Sequence, residues 1–177
     1  HSDANTTIKR PDDRGDDPTV ADVIATKSAR PPFIECPLLP INDGPGHWVA
    51  KAAISALDAW VRSGSAPSAA PRLQVNAEES GFDLDTQGNA LGGIRSPYVD
   101  APVAVLSGLG QGAGFCDLFG TTRLFDDAEL AALYPDRDAY VAAIDEATDA
   151  AVTAGFLLPA DAQLIKSRAR TSDVVPP

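Results

Sequence analysis

INDGPGHWVAKAAISALDAWVRSGSAPSAAP, residues 41–71, reads as one amphipathic helix with a marked start and a marked stop. Asn42, Asp43 and Gly44 are candidate N-cap residues, and Pro45 sits where a first-turn proline is tolerated. Apolar side chains then recur at helical spacing: Val49 and Ala50, Ala53 and Ile54, Leu57, Trp60 and Val61. Lys51, Asp58 and Arg62 take the other face. Gly64 ends the helix, and Pro67 and Pro71 keep the chain from re-entering one. A helix with so full an apolar stripe must dock on a large surface, yet the rest of the chain offers little sheet to receive it.

The totals bound the answer. At 177 residues and 44% hydrophobic content the chain has material for one domain with a real core. Only 6% of residues are aromatic, so close helix packing through small residues is expected. A net charge of −11 argues against nucleic acid as a partner, because no basic stripe offsets phosphate repulsion. No apolar run approaches the roughly 20 residues that cross a bilayer, and the start carries no signal-peptide pattern, so no membrane partner is expected. The compartment stays open between secreted and cytoplasmic. The chain starts at His1 and contains no methionine, which leads to the expectation of a removed or unrecorded upstream portion.

Residues 1–32 have almost no periodicity. PDDRGDDP reads as an acidic loop, residues 20–27 as a short helical turn, and the tripeptide Arg14-Gly15-Asp16 and the sequon at Asn5 as loop. Leu73-Gln74-Val75 is a short strand candidate. Asp83-Leu84-Asp85-Thr86-Gln87-Gly88 matches the front half of a calcium loop, but Ile94 stands where the bidentate glutamate belongs, so a polar turn is expected. YVDAPVAVL, residues 98–106, has strand composition, with Pro102 confining it to an edge or a strand start. The following SGLGQGAGF lacks the lysine of a phosphate-binding loop and is expected to be a flexible surface loop.

The C-terminal third is helical. Asp126 is an N-cap, Glu129 completes a capping box, and Phe125 can staple onto Leu130. Asp138 is expected to open the next helix, with Tyr140, Ile144, Ala147 and Ala151 on one face and Gly155 as the stop. Residues 159–168 form a last short helix with basic residues near its end. No internal repeat is present.

Chemistry is sparse. No G-x-S-x-G elbow, H-E-x-x-H, C-x-x-C or G-x-G-x-x-G occurs. His1 and His47 are the only imidazoles and Cys36 and Cys116 the only thiols, so neither a zinc site nor any cofactor is expected. An even cysteine count permits one crosslink, and two separate buried thiols fit equally well. His47 in the first helical turn is expected to be a packed histidine. Arg95 is expected to serve an intrachain salt bridge, with carboxylate binding as the other use of its planar fork.

Four blocks carry a resemblance: INDGPGHWVAKAAISALDAWVRSG, NALGGIRSPYVDAPVAVLSG, GFCDLFGTTRLFDDAELAALYP and GFLLPADA. In this order they resemble the C-terminal part of a bacterial α/β-hydrolase-domain family, from about residue 36 onward. The resemblance implies an α/β fold of which this chain supplies mostly helices and loops with a few short strands. Residues 1–71 would end the hydrolase core, and residues 72–177 would be a family-specific extension packed on it. His1-Ser2-Asp3 matches the family's histidine segment, so His1 is the implied general base of a Ser-Asp/Glu-His triad. Nucleophile and acid would lie in an upstream portion of the same protein, the implied partner, and the substrate would be a small carboxylic ester or related acyl compound. Cys36 and Cys116 fall in the family-like blocks, where a disulfide between them is a candidate.

Two other readings accompany this one. The chain's lack of a nucleophile suits a non-enzymatic lid or interaction module. A chain starting with histidine could also form a copper histidine brace from His1 and His47, although such oxidases are aromatic-rich β-sandwiches, unlike this sequence.

Overall fold

The computed structural model describes residue 42 and residues 46–77, 81–112 and 114–175. The acidic N-terminal loop with Arg14, Gly15 and Asp16, the sequon at Asn5 and the turn at 20–27 lie outside those residues. So do His1, Cys36, Asp43, Gly44 and Pro45.

The described residues are mostly helical. Helix α1, Gly46–Ser63, is the helix expected from its stripe. It stops at Gly64, whose φ of 74° is the left-handed conformation glycine adopts freely. A single helical turn, α2 (Pro97–Asp100), precedes strand β1 (Ala104–Ser107). A 3₁₀ turn (Gly114–Leu118) leads into β2 (Thr121–Leu124). Then come α3 (Asp127–Leu133), α4 (Arg137–Thr153) and α5 (Pro159–Thr171).

The one sheet among the described residues has two antiparallel strands, with Ala104 opposite Leu124 and Ser107 opposite Thr121. The strand expected over 98–106 is therefore displaced. Pro97 at the first position of a turn starts α2, and extended pairing begins only past Pro102, which has no N–H to give a ladder. The strand expected at Leu73-Gln74-Val75 reduces to one bridge between Val75 and Phe82. Backbone bonds from Gln74 to Leu91 and from Asp83 to Gln74 hold that segment as an irregular hairpin.

The α3 start is as expected: the Asp126 carboxylate accepts from the Glu129 amide at 2.8 Å, and the Glu129 carboxylate accepts from the Asp126 amide at 2.9 Å. Phe125 and Leu130 are both buried in the core. The next helix opens two residues earlier than expected. Asp136 rather than Asp138 is the N-cap, because its carboxylate reaches the Ala139 amide at 2.8 Å, leaving Asp138 in the first turn. Its buried face is Tyr140, Ile144, Thr148 and Ala151, with Ala147 only half-buried. Gly155, φ 83°, ends the helix region.

These elements share one core. Ile144 of α4 and Ile165 of α5 are each 1% exposed, surrounded by Tyr98, Val103, Phe125, Leu130, Tyr134, Tyr140 and Leu157. The Tyr134 hydroxyl donates to the Pro102 carbonyl at 3.0 Å, joining the end of α3 to the start of β1. Lys166 to Asp149 and Arg170 to Asp145 pair α5 with α4 at 2.6 and 2.7 Å. These pairs are partly exposed and contribute little beside the apolar burial.

Candidate functional site

Helix α1 joins this core at one end only. Trp48, 2% exposed, and Ala52 enter the core region, and Lys51 lies over the Trp48 ring and 3.5 Å from the Asp161 carboxylate in the first turn of α5. Helical steps of about 100° per residue place Trp48, Ala52 and Ala56 along the docked side. Val49, Trp60, Ala53, Leu57, Ala50, Val61 and Ile54 then cover an arc of about 140° beside it. The large side chains of that arc are open: Ile54 is 69% exposed and Val61 79%, with Leu57 and Trp60 about half exposed. The remaining arc holds Lys51, Ser55, Asp58 and Arg62, the last two paired at 2.9 Å.

Between this stripe and the rest of the fold runs a cleft of about 500 Å³. Val49, Ala53, Leu57 and Trp60 form one wall, and Ile94, Gly155 and Phe156 the other. No charged side chain lines it; the hydroxyls of Ser65 and Ser68 and the indole N–H of Trp60 are the polar groups its lining side chains carry. Such a surface can hold apolar matter and offers no acid, base or nucleophile pair.

The second feature is the glycine-rich connection between β1 and β2. It is fastened, contrary to the expectation of a flexible loop. Gln111, 2% exposed, donates its side-chain amide to the Gly120 carbonyl at 2.7 Å and its backbone N–H to the Cys116 carbonyl at 3.0 Å. A side chain on Gly120 would collide with the Ser107 carbonyl, so the two ends of the loop approach this closely only with glycine there. Asn42 clasps the same place: its N–H donates to Gly120 and its side-chain amide to Ser107, at 2.8 and 2.9 Å. Leu109, Phe115 and Leu118 project from this loop, each more than half exposed.

The third feature is the turn with calcium-loop resemblance. The Asp85 carboxylate accepts from the backbone N–H groups of Gln87 and Asn89 and from Arg95 at 2.8 Å. Burial pushes the Asp85 carboxyl up, but Arg95 and the two amides outweigh it and hold it below the usual range. Arg95 is further engaged by Asp100 and by the Ala90 and Val99 carbonyls. It therefore serves as the intrachain ion pair expected. Among the described residues no group of three or more His, Cys, Asp or Glu side chains could hold a metal.

The residues singled out from sequence do not converge. His1 and Cys36 lie outside the described residues. Cys116 is buried in the 3₁₀ turn and is not a free thiol. His47 is half-buried and packs on Trp48, ring centroids 4.4 Å apart at 38°. Asn89 and Gln111 were not anticipated. Asn89, 1% exposed, donates to the Ala104 carbonyl at 3.2 Å and accepts from the Leu106 N–H at 2.8 Å, pairing with the β1 edge as a backbone peptide would. An amide flanked by turn glycines was the only signal, and it is common to many loops.

Comparison with known proteins adds one finding. The sequence model of a family described as alpha/beta hydrolase domain matches residues 1–167. No curated protein and no solved structure matches the chain.

Proposed function

The chain belongs to the alpha/beta hydrolase domain family, and on that premise we propose that it is the C-terminal portion of a serine hydrolase acting on carboxylic esters or related acyl compounds. His1 is the general base in this reading: it takes the proton of a serine supplied by an upstream portion of the protein and returns it to the leaving group. An acid from that same portion orients the imidazole. Residues 1–71 then close the catalytic core, and residues 72–177 form an extension against it.

The observation that supports this reading most is the open stripe of α1. A helix with an apolar arc this wide, in a family named for an α/β domain, calls for a sheet to cover it. The described residues hold only two paired strands, and both are committed elsewhere. The missing G-x-S-x-G elbow agrees, since chain order in this architecture puts the serine before the histidine. A non-enzymatic interaction module is the second reading, and the same open stripe favours it.

The test is intact mass of the denatured protein before and after a fluorophosphonate probe, with a His1→Ala variant alongside. We expect a species heavier than the 18.4 kDa of this chain, one probe added per molecule, and loss of labelling in the variant. A sample holding only this chain, with no label, would reject the hydrolase reading in favour of the module.

A further inference from the structure

We propose that the cleft beside α1 binds one uncharged, medium-length alkyl compound, an alcohol or an ester, with its chain along the helix and its oxygen at the Ser65–Ser68 end. The shape of the cleft fits such a chain. Val49 and Trp60, both on the helical wall, are about 16 Å apart along α1. The alanines at 52, 53, 56 and 59 lie between them and leave the trough open along its length. A volume of about 500 Å³ is in the range that holds small molecules.

The two ends differ. Around Val49 the walls close, and only about 10 Å³ remains between Val49, Ile94 and Phe156 on one side and Trp48, Pro97 and Leu157 on the other. Arg95 also borders that end, but Asp85 and Asp100 hold its guanidinium. At the other end the chain leaving α1 turns across the cleft. Ser68 comes so near Gly155 that a Cβ there would lie 3.7 Å from the serine hydroxyl oxygen. Trp60, Ser65 and Ser68 thus bring every hydrogen-bonding side chain of the lining to one end, enough for a single oxygen. Charge selects the head group. No cation lines the cleft, and the chain carries −11 overall. A fatty carboxylate would be repelled and left unpaired, whereas an alcohol or ester oxygen needs only donors. Ile54 and Val61, at the outer edge of the stripe, do not line the cleft and remain for the upstream portion to cover. The site consists of described residues and is tested separately from the hydrolase reading.

The experiment is calorimetric titration of the full protein with 1-decanol, its shorter homologues and decanoate. Decanol is expected to bind one to one, and each methylene removed should weaken binding about fourfold. Decanoate should bind at least about tenfold more weakly than decanol. Ala53→Phe fills the cleft from an exposed position and should weaken decanol binding at least about tenfold. Ile54→Phe, outside the cleft, should leave it unchanged. No binding of decanol would give the cleft to the upstream portion and overturn the proposal. Equal affinity for decanoate, or undiminished affinity in Ala53→Phe, would overturn it as well. Decanol binding without fluorophosphonate labelling would keep this site and reject the hydrolase; labelling without decanol binding would do the reverse.

Discussion

The α4–α5 hairpin and helix α1 each present an apolar face and end up in opposite situations. Tyr140, Ile144 and Ala151 of α4 meet Ala162, Ile165 and Ala169 of α5, and each of these is under a tenth exposed. Helix α1 is longer than either and has the fuller stripe, but buries only Trp48 and Ala52. The fuller stripe of α1 does not by itself say whether its partner lies within these residues. Amphipathicity states that a face needs covering; which surface covers it depends on residues distant in sequence. The difference teaches that α4 and α5 satisfy each other, whereas α1 is held at one end and offers the remainder.

The largest expected effect tests this contrast directly. Ile165→Ala should cost about 2–5 kcal/mol, read from the shift in urea midpoint, because it leaves a cavity in the closed core. Leu57→Ala, on the open stripe of α1, should cost no more than about 0.5 kcal/mol in the chain alone. Similar costs at the two positions would break the comparison. Next is Asn89→Ala, which strips partners from the Ala104 carbonyl and the Leu106 N–H on the β1 edge. A loss of about 1–3 kcal/mol is expected in the same assay. Asp126→Ala removes one half of the α3 capping box and should cost about 1 kcal/mol.

The smallest effect is acid sensitivity. Asp85 is held below the usual carboxylate range, as described above. Glu129 is too, chiefly by its hydrogen bond with Arg123, then by the Asp126 amide. A carboxylate with a lowered folded-state pKa contributes stability above its unfolded value and loses that contribution as pH falls through the folded one. Stability should therefore decline on acidification through and below the usual carboxylate range, where the unfolded chain takes up protons that these two folded carboxylates still resist. Asp85→Asn should flatten part of that decline in a thermal-melt series. An unchanged acid limb would show that the Arg95 cluster does not sense pH.

Much of this fold was legible because local chemistry decided it. The end of α1 at Gly64, the Asp126–Glu129 capping box and the stop at Gly155 each follow from residues a few positions apart. Legibility failed where a distant partner chose the outcome. Asp136 and Asp138 are both competent N-caps, and only the register of α4 on the core settled between them. Thr148 rather than Ala147 faces inward for the same reason. The glycine-rich loop looked free because its anchors, Gln111 on Gly120 and Asn42 on Ser107, join positions that no periodicity connects. The candidate site was least legible of all. Its apolar wall could be read from α1, but His47 and Arg95 are engaged in packing and ion pairing, and His1 lies outside the described residues.

Hydrogen–deuterium exchange along α1, measured in this chain alone and again with the upstream portion present, tests the central claim most directly. The account predicts that the amides of residues 53–61 gain at least about a hundredfold protection in company. Those near Trp48, already docked, and those of α4 should change little. If residues 53–61 exchange alike in both samples, the stripe of α1 is not where the remainder of the hydrolase docks, and the account fails.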